Sequence, residues 1–206
     1  MKRLLLTSFL VFTAIVLHAQ DQKWSVEANY PLILSNNTTP IELNGVLDLG
    51  IKYRFVEFGA FKLGASLNAS FLKNYDNFTY GSEQGNNVEF DYKAKQFLFQ
   101  PKIFAEIAIP GLAKLKPQIG LGYAIVVDDS YLKDGGGVQV DESITDSGLN
   151  LNLGISYDLS SRFFIQVQYD FLNINRKGEN TRNNQTYTYD FNEKIGLIKA
   201  GVGFRF

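Results

Sequence analysis

The chain has 206 residues and no cysteine, and its 20 basic and 21 acidic residues give a formal net charge of −1. The lack of cysteine excludes a disulfide framework and a lipoprotein anchor, and the balanced charge gives no footprint for nucleic-acid binding. After residue 20 the sequence contains no long apolar run, which excludes a helical membrane protein. It does not exclude a membrane β-barrel, in which alternation dilutes the apolar residues.

The first twenty residues have the pattern of a secretory signal peptide. A basic pair, Lys2-Arg3, precedes an apolar run over 4–17, and a small residue near the cleavage point completes the pattern. Because a spanning helix needs about 20 apolar residues, a membrane anchor is the weaker interpretation. We predict a signal peptide over 1–20, cleaved after Ala19 or Gln20, and one β-barrel domain over 21–206.

The rest of the chain alternates with a period of two, which is typical of strands rather than helices. The last stretch is the clearest, because Ile198, Ala200, Val202, Phe204 and Phe206 alternate with Lys199, Gly201, Gly203 and Arg205. The eight predicted strands cover residues 24–30, 47–55, 61–71, 96–109, 115–127, 149–158, 163–171 and 195–206. Pro101 and Pro117 lie within strands, and since proline lacks a ladder donor we expect broken pairing or a bulge near them.

The connections between these strands alternate between long and short. Long, polar segments are predicted as loops over 31–44, 73–95, 128–147 and 173–193, with tight turns between the remaining strands. In an up-and-down barrel, this order places all four long loops at one end and both termini with the turns at the other. An apolar last strand left as a bare edge would promote aggregation, so we predict that it pairs with the first strand and closes the barrel.

Alternation alone leaves two barrels open, because the apolar face points inward in a lipocalin-like carrier and outward in a membrane barrel. Aromatic residues favour the membrane, since they cluster at the strand ends of the apolar face, as in the girdles at the two interfaces. They are Trp24, Tyr30, Tyr53, Phe55, Phe61, Phe71, Phe97, Tyr123, Tyr157, Phe163, Tyr169, Phe171, Phe204 and Phe206. We therefore predict an all-β, eight-stranded antiparallel transmembrane β-barrel, with a secreted lipocalin-like binder of an apolar ligand as the alternative.

This layout resembles the small eight-stranded outer-membrane β-barrels of Gram-negative bacteria, including the membrane domain of outer-membrane protein A. The resemblance covers nearly all of the chain after the predicted signal peptide. The ending, with Phe204 and the terminal Phe206, is similar to the C-terminal signal of that family. It implies location in the outer membrane, contact with its lipid, and recognition by the outer-membrane assembly machinery. We expect no periplasmic peptidoglycan-binding domain after the predicted barrel.

The opposite face of the predicted strands carries charges of both signs. They are Glu27, Asp48, Lys52, Arg54, Lys62, Lys102, Glu106, Lys116, Asp158, Asp170, Lys199 and Arg205. An eight-stranded barrel is just wide enough inside for side chains, and buried charges must pair. We predict a lumen plugged by ion pairs, with a narrow channel lined by the same groups as the alternative.

Catalysis is not expected. His18 is the only histidine and lies in the predicted signal peptide, so the remaining chain has neither histidine nor cysteine. A hydrolase that needs a histidine base is therefore excluded, as is a metal site built on histidine or cysteine. No cofactor is expected.

The long loops are the predicted place of function, because loops on a rigid scaffold usually carry binding. The acidic segment over 128–147 offers oxygen ligands for calcium, but its spacing matches no known site, and a solvated loop is the simpler interpretation. Alternating aromatics suggest that the second and fourth loops continue as hairpins, with a bulge near Ile195-Gly196 to restore the strand phase. Such hairpins offer edges to an extracellular protein by strand addition. We expect a monomer with a structural or surface-interaction role.

Overall fold

The computed structural model describes residues 22–34, 43–81, 87–134, 139–182 and 185–206. The predicted signal peptide lies outside these residues. Among them, no helix is long and apolar enough to cross a membrane.

Eight antiparallel strands form a closed barrel in which each strand pairs with its neighbours in sequence. This confirms the predicted fold class. The strands are β1 (Trp24–Leu34), β2 (Asn44–Phe58), β3 (Phe61–Gly81), β4 (Asn87–Ile107), β5 (Leu115–Asp134), β6 (Gln139–Asp158), β7 (Phe163–Arg182) and β8 (Gln185–Arg205).

The first and last strands close the barrel, as predicted. Their register runs without a shift from Ser25 opposite Arg205 to Leu34 opposite Gly196. At the chain end the amide of Phe206 donates to the carbonyl of Trp24 at 3.0 Å, and the amide of Trp24 donates back at 3.2 Å. The terminal residues therefore take part in the backbone pairing.

Tight turns join the strands at the end of the barrel where Trp24 pairs with Phe206. Two of these turns contain a glycine with positive φ, Gly59 at 57° and Gly111 at 81°. This left-handed conformation is strained for residues with a side chain, so the glycines allow the chain to reverse within a few residues.

The apolar face points outward. Leu121, Leu149 and Ile103 are 62%, 60% and 58% exposed, whereas Asp48, Asp170 and Lys199 on the opposite face are 0% exposed. The alternative of a lipocalin-like carrier is wrong, because it requires the apolar face inside. An exposed apolar belt around a barrel is instead the surface that a membrane surrounds.

Three of the predicted loops are largely strand, which corrects their predicted bounds. The β3–β4 ladder continues to Gly81 opposite Asn87, and the β7–β8 ladder to Arg182 opposite Gln185, as the hairpin interpretation of these two segments suggested. The acidic segment over 128–147 was interpreted as a solvated loop, yet β5 and β6 pair as far as Lys133 opposite Gln139. A strand is recognised in a sequence by the apolar residues on one of its faces. When neither face is apolar, the same residues look like a polar loop.

Two predictions about irregular pairing have different outcomes. Pairing of β4 with β5 skips Pro101, between the pairs Phe99–Ile125 and Lys102–Gly122, as expected for a residue without an amide hydrogen. The predicted bulge near Ile195-Gly196 is wrong, because β8 keeps one register with β7 along its whole length. The register shifts in the described chain instead lie on β2, between Gly45 and Leu47 and between Arg54 and Val56.

The lipid-facing position of Leu151, which lies at the middle of β6 and is 42% exposed, can be tested by substitution. We expect Leu151→Arg to destabilise the barrel by about 2–4 kcal/mol, because a charge on the lipid face near the bilayer midplane loses its hydration. Urea unfolding in lipid vesicles measures this, and Leu151→Met is the matched control. Equal stability of the arginine and methionine variants would contradict a lipid-facing position for Leu151.

Candidate functional site

The middle of the lumen holds a cluster of fully buried charges. Lys199 on β8 places its Nζ 3.0 Å from Asp48 Oδ2 on β2 and 2.9 Å from Asp170 Oδ2 on β7. Lys102 on β4 contacts Asp170 Oδ1 at 3.2 Å, and the Lys199 ammonium also donates to Gln100. These charged side chains all point into the lumen, and their contacts link four strands, which are β2, β4, β7 and β8.

A second set of ion pairs fills the lumen toward the turns. Lys52 contacts Glu27 at 2.6 Å, and Arg54 contacts Glu106 at 2.9 Å. Near the rim, the Asp158 carboxylate forms two ion pairs, with Lys116 at 2.6 Å and with Arg205 at 2.5 Å.

Neutral side chains supply further hydrogen bonds to the buried carboxylates. Asp48 accepts from Asn29 at 2.7 Å and from Ser70 at 2.6 Å, and Asp170 accepts from Asn152 at 2.8 Å. A buried charge is stable only when it is paired and hydrogen-bonded. The ion pairs and these hydrogen bonds from amides and hydroxyls together replace the hydration that the buried carboxylates lose.

The structure places nine of the twelve predicted lumen charges fully inside the barrel. These are Glu27, Asp48, Lys52, Arg54, Lys102, Glu106, Asp170, Lys199 and Arg205. Lys116 and Asp158 are half-buried at the rim. Lys62 is outside this network, because its side chain is 35% exposed and pairs with Glu57 at 2.7 Å.

Sequence reasoning missed an apolar layer that crosses the lumen toward the loop end. Its members are Leu72, Leu98, Ala124, Val126, Leu172, Ile174, Ile195 and Leu197, with Ile33 and Leu43 packed against them. The sequence does contain a signal for this layer. Leu98 lies two residues from Gln96 and from Gln100 on β4, so its side chain faces the lumen as theirs do. We call this set the apolar layer.

Above the apolar layer, a single arginine gathers three acidic side chains. The Arg176 guanidinium contacts Asp128 at 2.5 Å, Asp146 at 2.8 Å and Glu193 at 2.7 Å. Gln96 donates from Nε2 to Asp128 at 2.6 Å. Two of the acids belong to the segment interpreted as a solvated loop, and here they are held by an ion-pair network.

A cleft of about 450 Å³ opens beside this cluster at the loop end of the barrel. Arg176, Asp128, Glu193 and Gln96 line one side, and apolar side chains of β1 and of the start of β2 line the other. The phenol of Tyr92 also lines the cleft, and its pKa is raised by burial and by the nearby Asp128 and Glu142 carboxylates.

The arrangement of the described side chains offers hydrogen bonds and ion pairs. Within the described part of the chain, no group of three or more histidine, cysteine, aspartate or glutamate residues could hold a metal ion. On the β7–β8 hairpin, Lys177 contacts Asp190 at 3.0 Å. Its hydrogen bond lowers the pKa of the exposed Asp190 carboxyl below the usual range.

Comparison with known proteins relates this geometry to one family. Residues 4–206 match the family model described as outer membrane protein beta-barrel domain. No curated protein matches the chain significantly.

Solved structures of bacterial outer-membrane proteins share the fold at low sequence identity. OprG from Pseudomonas aeruginosa is 12% identical with a TM-score of 0.56, over 89% of this chain and 95% of that one. Neisserial surface protein A is 16% identical with a TM-score of 0.52, over 89% and 96%. The attachment invasion locus protein Ail of Yersinia pestis is 15% identical with a TM-score of 0.50, also over 89% and 96%.

The central charge cluster generates a second test. We expect Lys199→Met to destabilise the barrel by about 3–5 kcal/mol, because it leaves buried carboxylates without their main partner. Lys177→Met is the matched control, since it removes a lysine from an ion pair whose side chains are 63% and 61% exposed, and we expect little change there. Both are measured by urea unfolding in vesicles. A similar, small effect of both substitutions would show that the buried cluster is not a structural support.

Proposed function

Because the chain belongs to the outer membrane protein β-barrel family and lies in the outer membrane, we propose that it is a non-enzymatic surface-interaction protein. In this proposal a barrel with a plugged lumen holds long β-hairpins in the medium, where they contact extracellular proteins. The observation that carries it is the continuation of strand pairing beyond the apolar belt, to Gly81 opposite Asn87 and to Arg182 opposite Gln185.

The hairpins divide into two groups beyond the belt. Strands β3 to β6 stay paired to one another, whereas the pairing of β6 with β7 ends at Ser147 opposite Asn175. On the other side, the pairing of β8 with β1 ends at Gly196 opposite Leu34. In the described residues, the β7–β8 hairpin is therefore separate, and each of its strands has an edge without a ladder partner. Such edges support strand addition by an extended segment of another protein.

Aromatic side chains on β8 strengthen this assignment. Tyr189 and Phe191 are 37% and 53% exposed, and their ring centroids lie 6.1 Å apart. Exposed aromatic residues are enriched in protein interfaces, where they bury much area at a low entropic cost. Beside an open edge, they would supply the side-chain contacts that backbone pairing lacks.

The interior supports a structural rather than a catalytic or channel role. Ion pairs, the apolar layer and the Arg176 cluster follow one another along the lumen. Apart from His18, in the predicted signal peptide, the chain has no histidine, and it has no cysteine. A histidine base and a cysteine nucleophile for hydrolysis are therefore both missing. The runner-up function, a narrow channel, would require water between these groups.

The chain end suits recognition during assembly. Phe204 packs against Phe163 with ring centroids 5.0 Å apart, and Phe206 closes the backbone seam. We assign both residues to the signal that the outer-membrane assembly machinery reads before the barrel closes. A closed barrel has no free edge within the membrane, which supports a monomer.

The surface role is tested by attachment of cells that express the protein to a surface coated with serum proteins. We expect Phe191→Ser to reduce attachment about five- to thirtyfold, because truncation of an exposed aromatic anchor costs about 1–2 kcal/mol. Asn192→Ser, one position away on the opposite face, is the matched control and should attach like the wild type. Equal attachment of both variants and the wild type, at equal surface amounts, would contradict the proposal.

A further inference from the structure

Two lysines lie directly opposite each other on the outer wall of the barrel. Lys73 of β3 pairs with Lys95 of β4 in the antiparallel ladder, and both side chains are exposed. Residues at opposed positions have their Cβ atoms about 5 Å apart, and like charges there destabilise a strand pair. Neither lysine forms an ion pair or a hydrogen bond with a side chain that the structure describes. Their repulsion therefore calls for an anion from outside the described chain.

The two lysines lie just beyond the aromatic edge of the apolar belt. Lys73 comes two residues after Phe71, and Lys95 comes two residues before Phe97, so all four side chains share the outward face. Phe71 and Phe97 are opposite each other as well, and their rings stack with centroids 4.7 Å apart. Aromatic residues of this kind mark the membrane interface. Two strand residues span about 6.6 Å, which places the lysines among the head groups of the outer leaflet.

The residues on either side of the two lysines leave them open to an anion. On β2, the exposed Asn44 lies opposite Lys73, and its side-chain amide is a hydrogen-bond donor. On β5, Asp129 lies opposite Lys95. The Asp129 carboxylate, however, accepts a hydrogen bond at 2.6 Å from Ser143 of β6, on the side away from Lys95.

This unpaired positive charge is confined to one side of the barrel. On β6 and β7 the first two outward positions beyond the belt are neutral, and they are Thr145, Ser147, Asn173 and Asn175. On β8, Lys194 is exposed and lies opposite the neutral Asn173. One row further out on β4, Lys93 contacts Asp91 at 3.2 Å and is already paired. The β3–β4 wall thus differs from the rest of the interface by having two opposed lysines.

We propose that Lys73 and Lys95 bind one phosphomonoester head group of an outer-leaflet lipid. The two ammonium groups contact the phosphate from neighbouring strands, and the Asn44 amide donates a further hydrogen bond. A phosphomonoester carries a charge of about −1.5 to −2 near pH 7, which balances two lysines, whereas a phosphodiester carries a single negative charge. The acyl chains lie against the belt along Phe71 and Phe97. This site depends on location in the membrane and is independent of the surface-interaction role of the hairpins.

Native mass spectrometry of the exported protein, released from detergent micelles, tests the preferred head group. The probes are dioleoyl phosphatidic acid, a phosphomonoester, dioleoyl phosphatidylglycerol, a phosphodiester, and the zwitterionic dioleoyl phosphatidylcholine. We expect phosphatidic acid to bind most tightly and phosphatidylcholine most weakly. Equal binding of phosphatidic acid and phosphatidylglycerol would overturn the assigned head group.

Substitutions locate the site on the barrel. Lys73→Gln and Lys95→Gln should each weaken phosphatidic acid binding about fivefold, the effect of one basic residue near an anionic lipid surface. Lys194→Gln is the matched control, because it removes an exposed lysine that has no charged residue opposite, and it should bind like the wild type. An equal loss in all three variants would show a diffuse attraction to surface charge and would overturn the site.

Thermal unfolding in nanodiscs separates lipid binding from a structural role of the lysines. In phosphatidylcholine alone, Lys95→Gln relieves a repulsion, so it should unfold at the temperature of the wild type or above it. When phosphatidic acid is added to the nanodisc, the wild type should gain stability from the bound lipid, and Lys95→Gln should gain less. An equal gain for both proteins would refute the proposal.

Discussion

The need to pair buried charges inside a narrow lumen is the constraint on which the rest of this structure depends. Eight strands enclose only enough room for side chains, so ionised groups there lose bulk water and require partners within the wall itself. Lys199 meets this need by contacting Asp48 on β2 and Asp170 on β7. The Lys199–Asp48 contact joins β8 to β2, and the Lys102–Asp170 contact joins β4 to β7, and neither pair of strands is adjacent in the sheet. They therefore add cross-barrel links to a wall that is otherwise held by neighbour-to-neighbour ladders.

The side chains inside the lumen form three zones along the barrel axis. Polar groups occupy the half near the turns, the apolar layer follows, and Arg176 gathers three carboxylates on the outer side. Outside the wall, the apolar belt matches the membrane, because every strand alternates between the two environments. Beyond the belt the strands leave the lipid and continue as hairpins. The backbone groups at their edges can there form hydrogen bonds with water or with another protein.

The sequence was sufficient for the architecture and insufficient for the ends of the strands. Period-two alternation identified eight strands, and the alternating lengths of the connections predicted which end carries the hairpins. Alternating aromatics indicated the extensions of β3–β4 and β7–β8, but the pattern failed for the acidic segment over 128–147, because both faces of a strand in water can be polar. The bulge near Ile195-Gly196 was inferred from a change in apolar phase. That change instead marks the point where apolar side chains turn inward, with Ile195 and Leu197 in the apolar layer. The Arg176 cluster was beyond sequence reasoning, since it joins acids 48, 30 and 17 positions away from the arginine.

The central claim is that the interior is filled by its own side chains and does not conduct. Ion conductance of the purified protein in planar lipid bilayers tests this claim most directly. We predict no steps above the background of empty bilayers, because the proposed plug of paired charges and apolar side chains would leave no continuous water path. Regular conductance steps whose ion selectivity changes in Lys102→Glu would contradict it, since they would show that ions pass between groups described here as paired.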